Sequence, residues 1–338
     1  TFFINFCALS TAKGMIVKVT RQEALTHFTT YANEVLEDYK MGFWEHLQKQ
    51  SKKLEEVILE GFTKLKEQVE KAHKDEIVHF QFSFLRIDLI ARQYTVLLHA
   101  YDVSWYLDEA PVMVKLDISF LFEELNKRWD KLIAEGKRYV GKINQYDILN
   151  RIFDEVKEVN GLIAHLLRFT LKDIESNADF KAIPKCELWI IRWGEYRDHS
   201  EIILQVDRYP KTQEDWEEAL KLSAEKEDQL VCSYWYEGNF KGGHLKEKQL
   251  YFAVFEKCQL EDIDFSKAAF LGGKFKECEL KNCSFKGALL KNSDFRESHF
   301  ENVDFEEADL TEAIFSDVDV PYLHLSPIQL QSIHIERS

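Results

Sequence analysis

The sequence predicts a chain of the α plus β-solenoid class, with a helical N-terminal part and a repetitive, coiled C-terminal part. Apolar residues recur at every fifth position from residue 240 onward, whereas residues 20–176 show the three- and four-residue spacing of amphipathic helices. Hydrophobic residues make up 45% of the 338 positions, and the chain has only 13 Gly and 5 Pro. This composition is typical of a globular chain that is long enough for two cores.

Helical periodicity predicts five long helices in the N-terminal part, and their short connections favour an antiparallel helical bundle. We expect this bundle to span residues 15–178. Residues 1–14 precede Met15 and have no basic start, so we interpret them as an upstream extension rather than a signal peptide. The predicted helices cover residues 20–38, 43–74, 76–107, 116–138 and 145–174.

Residues 179–236 are predicted to form a small α/β joint between the two parts. The pattern of residues 186–193 and 201–209 predicts a β-hairpin, and the run T-Q-E-D at Thr212 predicts the start of a helix over residues 212–228. Four tryptophans make the joint aromatic, and we favour core packing over an exposed binding patch for them. They are Trp189, Trp193, Trp216 and Trp235.

The C-terminal third, residues 237–338, is built on a five-residue repeat. The central residue is apolar in all twenty repeats from Phe240 to Ile335, and the residue two positions earlier is small or apolar from Ala253 to Ala313. The other positions are mostly Asp, Glu, Lys, Asn and Ser. We therefore expect the central side chains to face an interior and the polar ones to face solvent.

Stretches such as NSDF at 292–295, NVDF at 302–305 and EADL at 307–310 resemble the pentapeptide-repeat family. The resemblance implies a right-handed quadrilateral β-helix in which five residues form one side of a coil and four sides complete it. About five such coils would stack at about 4.8 Å per coil. Because Ser326 precedes Pro327, residues 326–333 are predicted to form a helix that covers the open end.

If one coil takes twenty residues, side chains twenty positions apart lie next to each other in adjacent coils. We expect ion pairs between Lys281 and Glu301 and between Lys286 and Glu306, and an amide ladder from Asn282. Two columns of stacked phenylalanines are expected to face each other across the interior. They are Phe255, Phe275, Phe295 and Phe315 on one side, and Phe265, Phe285 and Phe305 on the other.

The six cysteines show neither paired nor zinc-binding spacing, which favours a reduced, cytoplasmic protein. Cys258, Cys278 and Cys283 fall at inward positions of the repeat, so we interpret them as small core residues. The eleven histidines are scattered. The sequence therefore predicts no metal site and no cofactor.

The formal net charge of −15 argues against direct binding to nucleic acid or to an anionic membrane. It is compatible with a basic protein partner, including a nucleic-acid-binding enzyme, and equally with a merely solvated surface. A homodimer through the C-terminal cap is a further expectation. The residues predicted to form the acidic face are Glu297, Asp304, Glu307, Asp309, Glu312, Asp317 and Asp319.

A second candidate site lies in the predicted helix over residues 76–107. Five polar residues share one narrow face of this apolar helix, and Arg86 projects away from that face. Together the six could line a pocket for acid–base chemistry or for a ligand. The structural alternative is that they are the polar face of an amphipathic helix. They are Arg86, Asp88, Arg92, His99, Asp102 and Tyr106.

Motifs for nucleotide binding, zinc hydrolysis and serine hydrolysis are absent from the sequence. The leading hypothesis is a non-enzymatic interaction or scaffold protein that presents a rigid acidic β-helix, with a helical domain that binds a partner or a ligand. The family resemblance implies one alternative, a DNA-mimicking topoisomerase modulator or immunity protein. The other alternative is an enzyme or small-molecule sensor with a pocket in the bundle.

Overall fold

The structure is a computed structural model that describes residues 19–337. The extension predicted for residues 1–14 lies outside the described residues. Two hydrophobic cores are present, one in the N-terminal two-thirds and one inside the C-terminal repeat. Helices are present in the N-terminal part and a β-solenoid in the C-terminal part, which confirms the predicted α plus β-solenoid class.

The N-terminal part combines helices with a five-stranded sheet. No helix among residues 19–337 is both long and apolar enough to cross a membrane. The helices are α1 (Arg21–Leu36), α2 (Tyr39–Lys49), α3 (Ser51–Ala72), α4 (Arg86–Ile90), α5 (Glu123–Gly136), α6 (Gln145–Thr170) and α7 (Ala178–Ala182). The strands are β1 (Ile77–Phe84), β2 (Thr95–Tyr101), β3 (Val112–Asp117), β4 (Lys185–Glu195) and β5 (Ser200–Asp207).

The strand order of the sheet is β3-β2-β1-β4-β5, with β1 and β4 parallel and the other neighbours antiparallel. Side chains alternate between the two faces of a strand, so Phe80 and Phe82 of β1 point to the same side. Their rings pack against Phe62 of α3, with ring centroids 5.8 Å apart in both cases. This face of the sheet forms the main core with the helices.

The prediction of a helix over residues 76–107 is wrong, and with it the prediction of a simple helical bundle. Residues 77–84 read IVHFQFSF, in which polar and apolar residues alternate with the period of a strand. Valine, phenylalanine, threonine and tyrosine also favour strands over helices. The high apolar content of the segment reflects its central place in the sheet, because β1 has a neighbouring strand on both sides.

Other predicted elements agree more closely with the structure. Helix α1 begins after Thr20, whose side chain forms a capping box with Glu23, and α6 begins at the predicted residue 145. The predicted helix over 43–74 is divided near Gln50 into α2 and α3. The predicted helix over 116–138 is shorter, because residues up to Asp117 belong to β3.

The predicted hairpin is present as β4 and β5, but it completes the N-terminal sheet rather than a separate joint. Trp189 and Trp193 are therefore buried in the N-terminal core, whereas Trp216 and Trp235 belong to the core of the solenoid. The division of the chain at residues 178 and 236 stays a prediction. One sheet and one core include residues on both sides of position 178.

The solenoid follows α8 (Gln213–Glu225), which starts at Thr212 with a capping box as predicted. Its parallel strands lie on two adjacent sides, and single β-bridges continue the ladder on the others. One side holds β6 (Tyr234–Tyr236), β8 (Val254–Glu256), β10 (Lys274–Lys276), β13 (Ile314–Ser316) and β14 (His334–Glu336). The next side holds β7 (Asn239–His244), β9 (Gln259–Asp264), β11 (Glu279–Lys281) and β12 (His299–Glu301).

Residues twenty positions apart are in register, which confirms the predicted coil length. Phe275 stacks on Phe255 and Phe295 with ring centroids 5.1 and 4.9 Å apart, and Phe285 stacks on Phe265 at 4.9 Å. All of these interplanar angles are 13° or less. The two facing columns of phenylalanine are thus confirmed, and they fill the interior of the right-handed quadrilateral helix.

The predicted contacts on the outside of the solenoid are also present. Lys281 pairs with Glu301 at 2.9 Å, and Lys286 pairs with Glu306. The Asn302 side-chain amide donates to Asn282 Oδ1 at 2.9 Å, which forms the expected amide ladder. Polar side chains on the outside of the solenoid therefore stack with the same twenty-residue period as the rings inside.

Each coil turns at residues in the left-handed backbone region. At one corner Lys257, Glu277 and Glu297 have φ of 55°, 53° and 61°. Such a conformation is unfavourable for residues other than glycine, by about 1 kcal/mol or more, and the stack of coils maintains it. Gly272 occupies another corner, where a Cβ would lie 2.7 Å from the Phe252 ring.

Both ends of the solenoid are covered. Trp216 of α8 is fully buried against Phe240 and Trp235 of the first coil. At the other end α9 (Pro327–Ser332) begins at Ser326 with a capping box, as predicted. The amide of Gln329 donates to the carbonyl oxygens of Phe305 and Ala308 at 2.8 and 3.0 Å. The cap thereby gives a partner to the Ala308 carbonyl oxygen and a second donor to that of Phe305, which also accepts from the Ala308 amide at 3.1 Å.

The phenylalanine columns predict a large effect of a single truncation. We expect Phe285→Ala to lower the free energy of unfolding of the solenoid by about 3–5 kcal/mol, because the cavity would interrupt one column. The matched control is Leu289→Ala in the same coil, whose side chain is 50% exposed. It should change stability by less than about 0.5 kcal/mol. Urea unfolding followed by circular dichroism measures both, and equal effects would contradict the stacking.

Candidate functional site

The six residues predicted to line a pocket do not lie on one helix. Their positions follow from the strand structure of residues 77–101, which separates residues that helical geometry would have brought together. Arg86 and Asp88 lie in α4, Arg92 in the turn after it, His99 in β2, and Asp102 and Tyr106 in the segment that follows β2.

The first three of these residues form ion pairs near the surface. Exposed pairs of this kind contribute about 0–1 kcal/mol each and do not require a ligand. They are Arg86 with Glu195 at 2.5 Å, Asp88 with Lys115 at 2.8 Å, and Arg92 with Asp130 at 2.8 Å.

His99 has a different environment. It is buried in the sheet and its ring stacks on Tyr101 and Tyr196, at centroid distances of 5.0 and 5.8 Å. Burial lowers the pKa of His99, so its ring is neutral at pH 7. Asp102 instead accepts a hydrogen bond from the Ser104 amide at 2.7 Å. No hydrogen bond or ion pair joins His99 to Asp102 in the part of the chain that the structure describes.

The sequence analysis missed the residues that do surround His99. Gln81 and Ser83 of β1 and Arg192 of β4 lie on the same face of the sheet as His99. Gln81 is the register partner of both His99 and Arg192. The alternation of polar and apolar residues over 77–84 was the available signal for Gln81 and Ser83.

The seven carboxylates predicted to form an acidic face encircle the last coils of the solenoid. Because every side of a coil takes five residues, Asp304, Asp309 and Asp319 belong to three different sides. The remaining residues lie at corners between sides. They are Glu297, Glu307, Glu312 and Asp317.

Several of these carboxylates already have hydrogen-bonding or ion-pairing partners. Asp309 pairs with Lys291 at 3.2 Å and also accepts hydrogen bonds from Thr311. Glu312 contacts His334, and Asp319 lies 3.7 Å from His299. Glu297, Asp304 and Glu307, in contrast, form no ion pair among residues 19–337. Their charges are therefore more available to another molecule than those of the paired carboxylates.

Glu297 belongs to a column of acidic residues along one corner, which we call the acidic corner. It consists of Glu277, Glu297 and Asp317, which are twenty residues apart and so occupy consecutive coils. Lys276 contacts Glu277 at 3.5 Å. Coil spacing holds neighbouring carboxylates of this column about 5 Å apart at the backbone, a distance at which they raise the local negative potential.

A cleft of about 780 Å³ lies between the N-terminal part and the side of the solenoid that carries β8 and β10. Both walls are rich in charged residues. Residues from the N-terminal wall include Lys172, Asp173 and Glu175, and those from the solenoid include Glu256, Lys274, Lys276, Asp294, Arg296, Glu297 and Glu336.

Ion pairs cross and line this cleft. Lys274 Nζ lies 2.6 Å from Asp173 and 2.9 Å from the Lys172 carbonyl oxygen, and so ties the solenoid to the N-terminal part. Arg208 pairs with Glu175 at 2.8 Å and lies 3.7 Å from the buried Glu256. These pairs neutralise one another and hold the two parts together, whereas Glu297, which also lines the cleft, has no cationic partner among residues 19–337.

Comparison with known proteins identifies the C-terminal part. Residues 258–338, about a quarter of the chain, match the family described as pentapeptide repeat region, and this segment is a pentapeptide-repeat solenoid. The helical N-terminal part has no family match. No curated protein matches the chain.

Solved structures of pentapeptide-repeat proteins are similar to part of this chain. QnrB1, a plasmid-mediated fluoroquinolone resistance protein, is 20% identical over 29% of this chain and 48% of its own, with a TM-score of 0.26. The pentapeptide repeat protein alr5209 from Nostoc PCC 7120 is 10% identical over 38% of this chain and 99% of its own, with a TM-score of 0.25. The chain thus spans about half the length of QnrB1.

The ion pair across the cleft predicts a measurable change in acidity. Burial alone would raise the pKa of Asp173, but the charge and hydrogen bond of Lys274 outweigh it and lower the pKa below its usual range. In Lys274→Met we expect this pKa, measured by carbon NMR, to rise. Lys291→Met removes a similar lysine from the far side of the solenoid and should leave it unchanged.

The same pair predicts how stability responds to acid. A carboxyl whose pKa is lowered by folding stabilises the folded state above its unfolded pKa of about 3.9, and this contribution is lost as the pH falls through the folded value. In Lys274→Met the folded pKa of Asp173 moves up towards the unfolded value or beyond it, so the variant should be less stable near pH 7 and should lose less stability than the unmodified protein as the pH falls below about 5. An unchanged acid unfolding curve together with an unchanged pKa would contradict the pairing.

Proposed function

We propose that the chain is a non-enzymatic interaction protein that binds a basic protein partner on the outside of its solenoid. The acidic corner of Glu277, Glu297 and Asp317 is the proposed centre of contact. The observation that carries this proposal is Glu297, whose carboxylate has no cation partner among residues 19–337, although lysines elsewhere on the solenoid pair across coils. The formal net charge of −15 favours a basic partner.

The architecture of the solenoid supports this role. Its interior is filled by the phenylalanine columns and by cysteines such as Cys278, which is fully buried. A filled interior leaves no room for a substrate, so recognition has to use the outer surface. Because the coils are stacked in register, the outer charges are pre-positioned, and little conformational entropy is lost when a partner binds.

The length of the solenoid argues against close mimicry of DNA. About five coils at about 4.8 Å each give a rod of roughly 24 Å, which corresponds to only about seven base pairs. The N-terminal part and the cap also cover both ends. A topoisomerase could still be the basic partner, but the proposal requires only the acidic corner and not a duplex-shaped rod.

The C-terminal cap is a second surface that a partner could use. Ile328, Leu330 and Tyr322 are 80, 43 and 78% exposed, so apolar side chains project from the cap into solvent. A homodimer formed through this surface stays a prediction. Analytical ultracentrifugation of the full chain at several concentrations would detect it.

The proposed contact predicts that binding depends on one corner and not on total charge. The test compares Glu277→Gln/Glu297→Gln/Asp317→Asn with a control, Glu247→Gln/Glu307→Gln/Glu312→Gln, that removes three carboxylates from other corners. A partner is first cross-linked to the unmodified chain in a native lysate and identified. Its affinity for each purified variant is then measured by biolayer interferometry at two salt concentrations.

We expect the first variant to weaken binding about tenfold, or about 1.4 kcal/mol, and to reduce its salt dependence. The control should differ from the unmodified chain by less than about twofold, because screened charges on another corner contribute little. Equal weakening by both variants would contradict a contact at this corner. A partner that binds independently of salt would also contradict it.

A further inference from the structure

The two faces of the N-terminal sheet are very different. Phe80 and Phe82 point to the helical core, whereas His79, Gln81 and Ser83 alternate with them and point to the opposite face. A 3₁₀ turn, Trp105–Leu107, contacts this second face through Trp105, whose ring stacks on His79. Gln81 and Ser83 are fully buried. Two polar side chains in the central strand are thus withdrawn from water.

Register across the sheet brings a group of polar and aromatic residues together on this face. His99 of β2, Gln81 of β1 and Arg192 of β4 form one row, and Tyr101 and His79 are paired in the row beside it. Neighbouring strands lie about 4.8 Å apart, so a small molecule on this face could reach all three residues of a row. The row combines a cation, an amide and an imidazole.

Trp105 covers one side of the row. Its ring stacks on His79 with centroids 4.9 Å apart, and the Arg192 guanidinium carbon lies 4.8 Å from the Trp105 ring. Trp105 has a φ of 52°, an unusual conformation for a bulky residue. Tyr106 stacks on Trp105 at 4.8 Å and extends the aromatic wall. Aromatic rings therefore surround the cation.

Polar atoms in this row lack hydrogen-bond partners. A buried polar atom without a partner costs about 1–3 kcal/mol, and such atoms are rare in native proteins. Their concentration on one face indicates that this face is complete only when another polar group is bound. Among residues 19–337, the buried side-chain atoms of this face without a partner are His79 Nδ1, Gln81 Oε1, Ser83 Oγ, His99 Nδ1, Trp105 Nε1, Tyr106 Oη and Arg192 Nε; Tyr39 Oη, Arg151 Nε and Glu195 Oε2 lie elsewhere.

Arg192 also lacks a counter-ion, which sets it apart from a similar arginine. Arg92 lies 4.8 Å from the Trp129 ring and pairs with Asp130 at 2.8 Å. Arg192 has the same distance to its tryptophan, but no carboxylate within ion-pair distance among residues 19–337. A half-buried cation without a counter-ion is unfavourable, and a bound anion would remove that cost.

The neighbouring groups do not supply the missing negative charge. Burial lowers the pKa of His79 to about 4, so its ring is neutral at pH 7. Asp108, in the loop beside this face, pairs with Lys74 at 2.6 Å. Arg197 lies 5.4 Å from the Tyr196 ring and adds a second positive charge nearby. The Asp102 carboxylate acts on His79 through its charge but forms no ion pair with Arg192 among residues 19–337, so the Arg192 guanidinium keeps no counter-ion.

We propose that this face of the sheet binds a small planar oxyanion, that is, a carboxylate or phosphate carried on a flat ring. Arg192 pairs with the oxyanion, since its guanidinium fits two oxygens at once. The ring stacks among Trp105 and the neighbouring aromatic side chains. Gln81 and Ser83 hydrogen-bond to polar groups of the ligand. This site lies in the N-terminal part and goes beyond the proposed contact on the solenoid.

Isothermal titration calorimetry of the full chain tests the site with three probes. Benzoate carries a carboxylate on a flat ring, adenosine monophosphate carries a phosphate on a nucleoside, and inorganic phosphate carries no ring. We expect benzoate or adenosine monophosphate to bind saturably at one site, and inorganic phosphate to bind at least about tenfold more weakly than the better of the two. Which of the two binds better distinguishes a carboxylate from a phosphate ligand.

Arg192→Gln should weaken binding of the better probe at least about tenfold, as expected when a charged hydrogen-bonding partner is removed. The matched control Arg92→Gln, at the arginine that has its own carboxylate, should leave binding unchanged. Near-ultraviolet circular dichroism checks that both variants are folded. If Arg192→Gln is not folded, Gln81→Leu and Ser83→Ala replace it, and each should weaken binding at least about threefold.

Three results would overturn the site. The first is that neither benzoate nor adenosine monophosphate binds at concentrations up to about 10 mM. The second is that binding of the better probe is the same in the variants at residues 192, 81 and 83 as in the unmodified chain. The third is that inorganic phosphate binds as tightly as the ring-bearing probes, because the aromatic wall would then have no role.

Discussion

Stacking of side chains twenty residues apart is the interaction on which the solenoid depends. Phe275 and Phe285 touch the ring of the coil before and the coil after, and the same period aligns the backbone hydrogen bonds between coils. The energy of this stacking offsets the unfavourable left-handed backbone at corners such as Glu277 and Glu297. The outward residues of those corners are thereby fixed in position, and this is what makes the solenoid suitable as a binding surface.

The N-terminal part is organised differently from the solenoid. Its sheet has one apolar face, which the helices cover, and one polar and aromatic face that contains Gln81 and Arg192. The solenoid departs from local preference mainly at its left-handed corners, whereas this face of the sheet leaves buried polar atoms without partners. Disagreement between local preference and environment is expected at functional sites, where stability is given up for binding. The two parts thus suggest two recognition tasks, one for a protein and one for a small molecule.

The sequence allowed most of the solenoid to be predicted because its contacts repeat with one short period. The position of Phe285 between two rings and the pair of Lys281 with Glu301 follow from counting residues. The cap at Ser326 was equally predictable, since N-cap residues act locally. Local chemistry and a fixed period were sufficient for these elements.

The N-terminal sheet could not be predicted in the same way. An apolar stretch such as 77–84 satisfies helical and strand patterns at once, and only the polar alternation separates them. Gln81 and Arg192 are more than one hundred positions apart and meet through the parallel pairing of β1 with β4, which no local pattern reveals. The grouping of Arg86 with His99 is wrong for the converse reason: Arg86 lies in the short helix α4 and His99 in strand β2, so a single helical spacing does not relate them.

Hydrogen exchange of backbone amides, measured by NMR, tests most directly whether the solenoid is one rigid surface. The amides of Phe275, Phe285 and Phe295 each donate to a carbonyl of the following coil, at 2.8, 2.7 and 2.9 Å. If the stack is a single cooperative unit, these three amides share one free energy of exchange, within about 1 kcal/mol, and it equals the free energy of unfolding of the solenoid. Widely different and much lower values, with each coil opening separately, would contradict it.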